Sequence, residues 1–432
     1  MQLKEKIIFL LKNFSYEKNK KKNSYIYSLQ EKDIYFFKKK GFDSLYKEKE
    51  CSYIHTILNQ EYDFISKRKI ENSEEYKKIK EKIPLKSDNS FFCVFVDGIP
   101  IIFSKNNNDI IFSNICYQKE SLIKDFYGKL SYNKKYDVFN TINNIFSEGA
   151  FIYIPNNILL KKPIEIVYVT TGIVQKLMIN IRNLIVVGKG SSVKIIEYHK
   201  YLKKNSSLIN IVNEIYALDN SNIDYYKIQD KLKDSFVIDN TFFKQKKNSK
   251  CSIYTFSFQG KIIRNNLKFY SHGENAYSYL YGVSLLSEKQ IIDNNTYIDH
   301  LYSNSYSYQL YKKILWGESQ GIFNGKIFIN KFLKGINAFQ KNNNILLSNK
   351  SYIYARPQLE IYSENVKCSH GCTIGNIQES ELFYLQSRGI PEKEANILLL
   401  LSFLEEILKS VDIYIKKIIY DKIKKKLDKL NL

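Results

Sequence analysis

From about Phe91 to Ser363 the chain is a succession of short runs with strand-like alternation, rich in β-branched and aromatic residues. Ile164-Glu-Ile-Val-Tyr-Val, Leu184-Ile-Val-Val, Val193-Lys-Ile-Ile-Glu-Tyr, Ile253-Tyr-Thr-Phe-Ser-Phe and Gly325-Lys-Ile-Phe-Ile are examples. A few residues of Asn, Gly, Ser or Lys separate one run from the next. Convincing amphipathic helices are scarce between them, which argues against a wound α/β sheet. So many short strands in series fit a sandwich, a barrel, a propeller or a β-helix, and no tidy sequence period chooses among these. Stacked coils suit the pattern, because each coil buries its inward residues on its neighbours and Asn-rich corners can stack.

Both ends read differently. From Met1 to about Pro84 the pattern is helical and highly charged. Ile7, Leu10, Leu11 and Phe14 fall at helical spacing, and Ser73-Glu-Glu-Tyr-Lys-Lys-Ile-Lys-Glu-Lys continues that character. At the other end Asn376-Ile-Gln-Glu379 resembles a capping box, Gly389 suits a helix stop and Pro391 a helix start. Ile397, Leu400, Leu401, Leu404 and Leu408 line one helix face, and Ile415, Ile419, Ile423, Leu427 and Leu430 another. The expected organisation is a helical region over 1–90, a β core over 91–375 and a C-terminal helical region over 376–432.

A net charge of +22, from 66 Lys and Arg against 44 Asp and Glu, would ordinarily point to an anionic partner. Here the lysines are scattered, as at Lys38 to Lys40, Lys246–Lys247 and Lys424 to Lys426, and the abundant Lys, Asn, Ile and Tyr share A/T-rich codons. There is no Cys–His finger spacing, no RNP-type aromatic signature and no Arg-rich stripe, so solvated surface charge is expected and no nucleic-acid partner. The six cysteines are spread along the chain (Cys51, Cys93, Cys116, Cys251, Cys368 and Cys372), without the density of a disulfide scaffold. The apolar run near Met1 is too short for a signal-peptide core, and no stretch approaches the ~20 apolar residues of a membrane span. The expectation is a cytoplasmic protein with reduced thiols and no membrane partner.

The segment richest in chemistry is Val366-Lys-Cys-Ser-His-Gly-Cys-Thr. If a strand continues through it, Cys368, His370 and Cys372 project to one face, offering two thiols and an imidazole suited to iron, iron–sulfur clusters or zinc. Same-face residues on a strand lie about 7 Å apart, so the three close on one ion only with a bend, which Gly371 could supply, or with ligands from a second chain. The other reading is a buried structural thiol beside a hydrogen-bonded histidine. His272 and His300, in strand-like, Asn-rich surroundings, read as turn or ladder residues rather than ligands, and His55 and His199 carry no supporting partners in sequence. No phosphate loop occurs (Gly188-Lys-Gly-Ser-Ser-Val-Lys has the glycines without the spacing), nor a Gly-x-Ser-x-Gly elbow or His-Glu-x-x-His pair. These absences lean towards binding or scaffolding.

Lys367-Cys-Ser-His-Gly-Cys-Thr-Ile-Gly375, followed by Leu382-Phe-Tyr-Leu-Gln-Ser-Arg-Gly-Ile390, resembles the signature of the SufB/SufD family of iron–sulfur cluster assembly scaffolds, on its SufD side. Pro357-Gln-Leu-Glu-Ile361, Gln340 through Ser348 and Phe323-Asn-Gly-Lys326 fit the same pattern, and weaker echoes reach back to about Gly149. The resemblance implies a mainly β chain, a right-handed parallel β-helix between helical N- and C-terminal regions. It also implies a non-enzymatic subunit that pairs with a SufB-like paralogue and contacts a SufC-like ATPase through its C-terminal helices. Residue by residue, Cys368 and His370 match the motif, with His370 the better candidate for handling iron or a nascent cluster at the subunit interface. Where the family commonly has Ala this chain has Cys372, so a ligand role there is inferred from this sequence alone. Leu382, Phe383, Tyr384, Arg388, Gly389, Leu400, Phe403 and Leu404 fall in the region that would receive the ATPase.

No cofactor is expected to bind tightly to the chain alone; iron or a nascent cluster would be held transiently in the complex. Homodimerisation in isolation is compatible with this reading. A SufB-type scaffold is the nearest rival, disfavoured by the Cys-Ser-His-Gly run and by chain length. More remote are a β-solenoid enzyme acting on carbohydrate, for which 15% aromatic residues could line a groove but no acid cluster is visible, and a basic nucleic-acid binder.

Overall fold

The structure, a computed structural model, describes residues 3–12, 23–42, 53–64, 70, 73, 74, 76, 77, 79, 90–132, 137–203, 205–230 and 232–430. Phe14, Cys51, Lys82 and Pro84 lie outside the described residues. The chain opens with helices α1 (Leu3–Lys12), α2 (Ser24–Lys40) and α3 (Tyr53–Leu58). Strands β1 (Phe91–Val96), β2 (Ile99–Phe103) and β3 (Ile111–Asn114) follow, then α4 (Glu120–Ile123) and α5 (Val138–Phe146). A run of strands comes next: β4 (Ala150–Ile154), β5 (Ile164–Thr170), β6 (Met178–Val187), β7 (Ser192–Tyr201), β8 (Leu208–Ala217), β9 (Asn222–Gln229) and β10 (Leu232–Gln245). It continues with β11 (Lys250–Ser257), β12 (Gly260–Ser271), β13 (Tyr277–Leu286), β14 (Ile291–His300) and β15 (Tyr306–Leu315). The last strands are β16 (Gln320–Ile329), β17 (Ile336–Leu346), β18 (Tyr352–Ile361) and β19 (Val366–Gly375). Helices α6 (Glu379–Ser387), α7 (Glu392–Leu408) and α8 (Ile413–Leu427) close the chain.

From β4 onward, odd and even strands segregate into two sheets, and each strand from β6 to β17 is hydrogen-bonded in parallel to the strands two places before and after it. That is a parallel β-solenoid, each turn of which lays one strand in each sheet. Pairings such as Tyr277 with Tyr306 and Asn294 with Phe323 set a turn of about thirty residues. No sequence repeat announces it because the lumen accepts any apolar residue of suitable volume. Corners are turned by residues in the left-handed region: Asn220, Asn248, Asn275 and Asn304 all have φ between 55° and 60°. Asparagine tolerates that backbone, and its amide also links turns, Asn275 to Asn248 at 3.0 Å and Asn248 to Asn220 at 2.9 Å.

The lumen is filled by one continuous core from Cys93 and Phe95 through Ile211, Ile253 and Phe269 to Leu315 and Phe323. Both outer faces are also covered. Leu3, Ile7, Phe37 and Ile57 pack on Phe236, Ile238 and Ile262 of the even sheet. Leu400, Leu404, Ile415 and Ile419 pack on Tyr226, Tyr254, Val283 and Leu310 of the odd sheet. Within the expected β core, α5 is an amphipathic helix that strand-like texture concealed. Asp137 caps it by accepting the Asn140 N–H at 2.9 Å, and Val138, Phe139, Ile142 and Ile145 are its buried side.

The two ends of the solenoid differ. At the first, β2 lies antiparallel on β1 and β3 antiparallel on β4, which finishes both sheets. At the other, β18 and β19 are each paired on one side only. Pro357 sits within β18, a position its missing N–H restricts to an edge strand.

Candidate functional site

The segment from Val366 to Gly375 is strand throughout, in register with β17: Ala338 faces Cys368, Gln340 faces His370 and Asn342 faces Cys372. Ala338, Gln340 and Asn342 are buried in the lumen, so Cys368, His370 and Cys372 form the lumenal row of the final turn, at the open end. Cys368 is half-buried and packs with Leu359, Val366 and Ala338. Cys372 is exposed, and its thiol lies 3.7 Å from the Asn342 Oδ1 that accepts from it. His370 is exposed between them.

The expected bend at Gly371 is not there. Gly371 stays in the ladder opposite Lys341, because ten consecutive rungs hold the backbone extended. The three side chains therefore line a row rather than converge, and among the described residues no group of three or more His, Cys, Asp or Glu could hold a metal ion. Burial raises the Cys368 thiol above its ordinary pKa. It raises Cys372 as well, with the Lys313 ammonium acting in the opposite direction. Both are thiols at neutral pH and must lose a proton to ligate.

Lys313 was not singled out by sequence. Its side chain is fully buried in the lumen below this row, its Nζ lacks a hydrogen-bond partner, and it lies 4.9 Å from the Phe323 ring centre. A lysine in an alternating run looks solvated, and only the coordinates reveal that it faces inward. Of the other histidines, His300 is buried and bonded to Ser307 at 2.9 Å, His199 is buried against Tyr168, and His272 is partly covered. His55 is exposed on α3. None joins the row at the open end.

The residues expected to dock a partner separate into two groups. Helix α6 buries none of its side chains; Phe383 is 71% and Tyr384 58% exposed, with the Arg388 guanidinium over the Tyr384 ring. Leu382 is half-exposed, and Gly389 ends the helix at φ 82°. Leu400 and Leu404 are instead fully buried against the odd sheet, and Phe403 is partly buried there, its carbonyl accepting from Lys312 Nζ at 2.7 Å. The apolar stripe of α7 serves the chain's own core, which corrects its assignment to a partner surface. Nor does Asn376 cap α6. The sheet runs on to Gly375, and the helix starts from Gln378 without a side-chain cap.

Fold and site together define a two-sheet parallel β-solenoid with helices on both outer faces, one finished end and one open end carrying soft ligands. Residues 169–403 match the family model described as SUF system FeS cluster assembly, SufBD core domain, and the chain belongs to that family. It is 30% identical over 334 residues to an iron-sulfur cluster assembly SufBD family protein of Synechocystis, covering 74% of this chain and 73% of that one. To the iron-sulfur cluster assembly protein SufD of Escherichia coli it is 31% identical over 154 residues, 36% of each chain. To SufD of Bacillus subtilis it is 27% identical over 270 residues, 61% of each. Matches of 36% and 61% leave much of both SufD chains uncovered, but with them the chain stands as a SufD-like member of the family. Among the described residues, no helix is long and apolar enough to cross a membrane.

Proposed function

We propose that this chain is one half of a paired-solenoid scaffold for iron–sulfur cluster assembly in the cytoplasm. Its open end joins a SufB-like paralogue, and its α6 receives a SufC-like ATPase. The observation that carries this reading is the unfinished pair of edges at β18 and β19, with His370 and Cys368 displayed between them. Edge strands offer unpaired N–H and C=O groups to another chain, and natural proteins seldom leave two long ones uncovered. A row of ligands too extended to close on one ion becomes half of a site when a second row faces it. Iron, or the nascent cluster, is then cargo held at the junction by His370 and Cys368, with Cys372 a lesser contributor. The isolated chain keeps no tightly bound cofactor, and without its partner the same edges favour a homodimer.

The exposed Phe383 and Tyr384 and the adjacent Arg388 suit a protein surface, since aromatic and arginine side chains dominate such contacts. ATP binding by the docked partner would favour one arrangement of the junction through its differential contacts there, opening the row near His370 to cargo. The chain itself catalyses no reaction in this scheme; the ATPase activity resides in the partner. Co-expression with the SufB-like and SufC-like chains, followed by anaerobic reconstitution, tests it. The three should co-purify, His370→Ala should clearly lower cluster yield, and Cys372→Ala should change it little. Failure of the wild-type chains to associate at low or moderate salt under reducing conditions would refute the proposal.

A further inference from the structure

One corner of the solenoid departs from its neighbours, and it lies beside the open end. Strands on the even sheet keep step there, with Ser271 opposite His300 and His300 opposite Ile329. On the odd sheet Tyr277 lies opposite Tyr306, but Tyr306 lies opposite Asn337. The corner after Ile329 is thus two residues longer than the one after His300. After Ile361 the shorter length returns, since Asn337 lies opposite Lys367.

Phe332 occupies this longer corner. It is 92% exposed and its φ is 64°. In that region the β-carbon of an L residue crowds its own backbone; the neighbouring corners meet the demand with Asn275 and Asn304, and the other left-handed position of this same corner is a glycine, Gly335. A bulky apolar residue here is unfavourable twice over, for its backbone and for its hydration, and the chain's own fold gains no burial from the ring. The corner is also held in place. Leu333 N–H donates to Ser363 Oγ at 2.9 Å, and the Ser363 hydroxyl donates to the Asn330 carbonyl at 2.5 Å. Phe332 is therefore fastened to the final corner, about one strand spacing of 4.8 Å short of the open edge. Beside it, Ile361 and Tyr362 at the end of β18 are 38% and 50% exposed, and Leu333 leads inward to Leu359 and Val366.

We infer that Phe332 is an apolar anchor inserted into the solenoid chain that pairs with this one. The inference rests on the edge-to-edge pairing proposed above. A second solenoid that continues both sheets past β18 and β19 brings its own corner alongside Phe332, Ile361 and Tyr362. An apolar recess there would bury a ring that this chain leaves in water, which is the character of an interface hot spot.

The test is affinity for the co-expressed SufB-like chain of the same organism, together with the melting temperature of the isolated chain. Phe332→Asn suits the left-handed backbone, so its melting temperature should hold or rise while the Kd for the partner weakens at least about ten-fold. Phe332→Leu keeps an apolar side chain on the same backbone and should retain most of the affinity. If the wild type binds and Phe332→Asn binds equally well, the anchor is refuted and the paired scaffold stands. A lowered melting temperature for Phe332→Asn would also refute it, by showing a role within the chain's own fold. If the wild type does not bind, the pairing fails and the anchor with it.

Discussion

Replacing Lys313 by methionine should stabilise the protein and flatten its stability profile between pH 6.5 and 9. Lys313 is fully buried with no hydrogen-bond partner for its Nζ, and the Phe323 and Tyr311 ring centres lie 4.9 and 5.9 Å away. Room for it comes from glycine: a β-carbon on Gly321 would sit 3.3 Å from its Cδ, and one on Gly282 would strike the Tyr311 ring. Burial pushes its pKa from 10.5 down to about 7. In the unfolded chain the amine keeps its proton up to its ordinary value, so between pH 7 and 10.5 the unfolded state binds more protons and stability rises with pH. Below pH 7 both states are protonated and the penalty of the buried charge is present in full. From pH 6.5 to 9 this single group should add roughly 2–3 kcal/mol to wild-type stability. Lys313→Met removes that dependence and gains on the order of 4 kcal/mol at the acid end, an upper figure because methionine repacking is imperfect. Urea unfolding of both proteins at the two pH values, followed by circular dichroism, measures the difference. Parallel stability curves would show that Lys313 already has a charge partner or water when folded, and would refute the reasoning.

Two further outcomes follow from burial. Glu214 accepts the backbone N–H groups of Gly128, Leu130 and Ser131 at 2.8–2.9 Å and pairs with the fully buried Arg182 at 3.3 Å. Glu214→Ala should therefore cost about 3–5 kcal/mol, and Arg182→Met, which leaves those three bonds intact, clearly less in the same unfolding assay. Leu404→Ala should cost about 2–5 kcal/mol by opening a cavity under α7, whereas Phe383→Ala should leave the melting temperature unchanged and weaken only capture of the ATPase in a pull-down.

The strand texture was legible because the lumen enforces period two, and the C-terminal stripes were legible because the odd sheet enforces period 3.6 on the helices it carries. What alternation could not convey is which face turns inward. In Val193-Lys-Ile-Ile-Glu-Tyr the lumen receives Val193, Ile195 and the buried Glu197, while Ile196 and Tyr198 pack outward beneath the C-terminal helices. With apolar layers on both sides of the sheet, the apolar face of a strand no longer identifies the core. The polar lumen is lost to sequence for the same reason: Lys227 lies 2.6 Å from Asp239 and 3.7 Å from Glu197, all buried, yet each reads as a surface charge. Cys368, His370 and Cys372 were recovered as a row because strand spacing suffices for that. Their failure to converge follows from ten rungs of pairing with β17, a long-range constraint that the Gly371 neighbourhood does not encode.

A solenoid that stops must either cover its last turn or share it. This chain covers its first turn with antiparallel strands and leaves its last bare, so inward-facing positions that are buried in the turn beneath are half-buried along most of β18 and exposed at His370 and Cys372 of β19. Any chemistry displayed there comes from lumenal positions and is backed by the lumen of the turns beneath. That is why the row of two thiols and an imidazole stands over Ala338, Gln340 and Asn342 and, one turn deeper, over Ser307, Gln309 and Tyr311, with the buried Lys313 at the next lumenal position after Tyr311. The unpaired backbone edges and the unconverged ligands are then one feature. In the proposed pairing both would be completed by a second lumen set end to end with this one, and Pro357 would narrow the registers in which that chain could hydrogen-bond to β18.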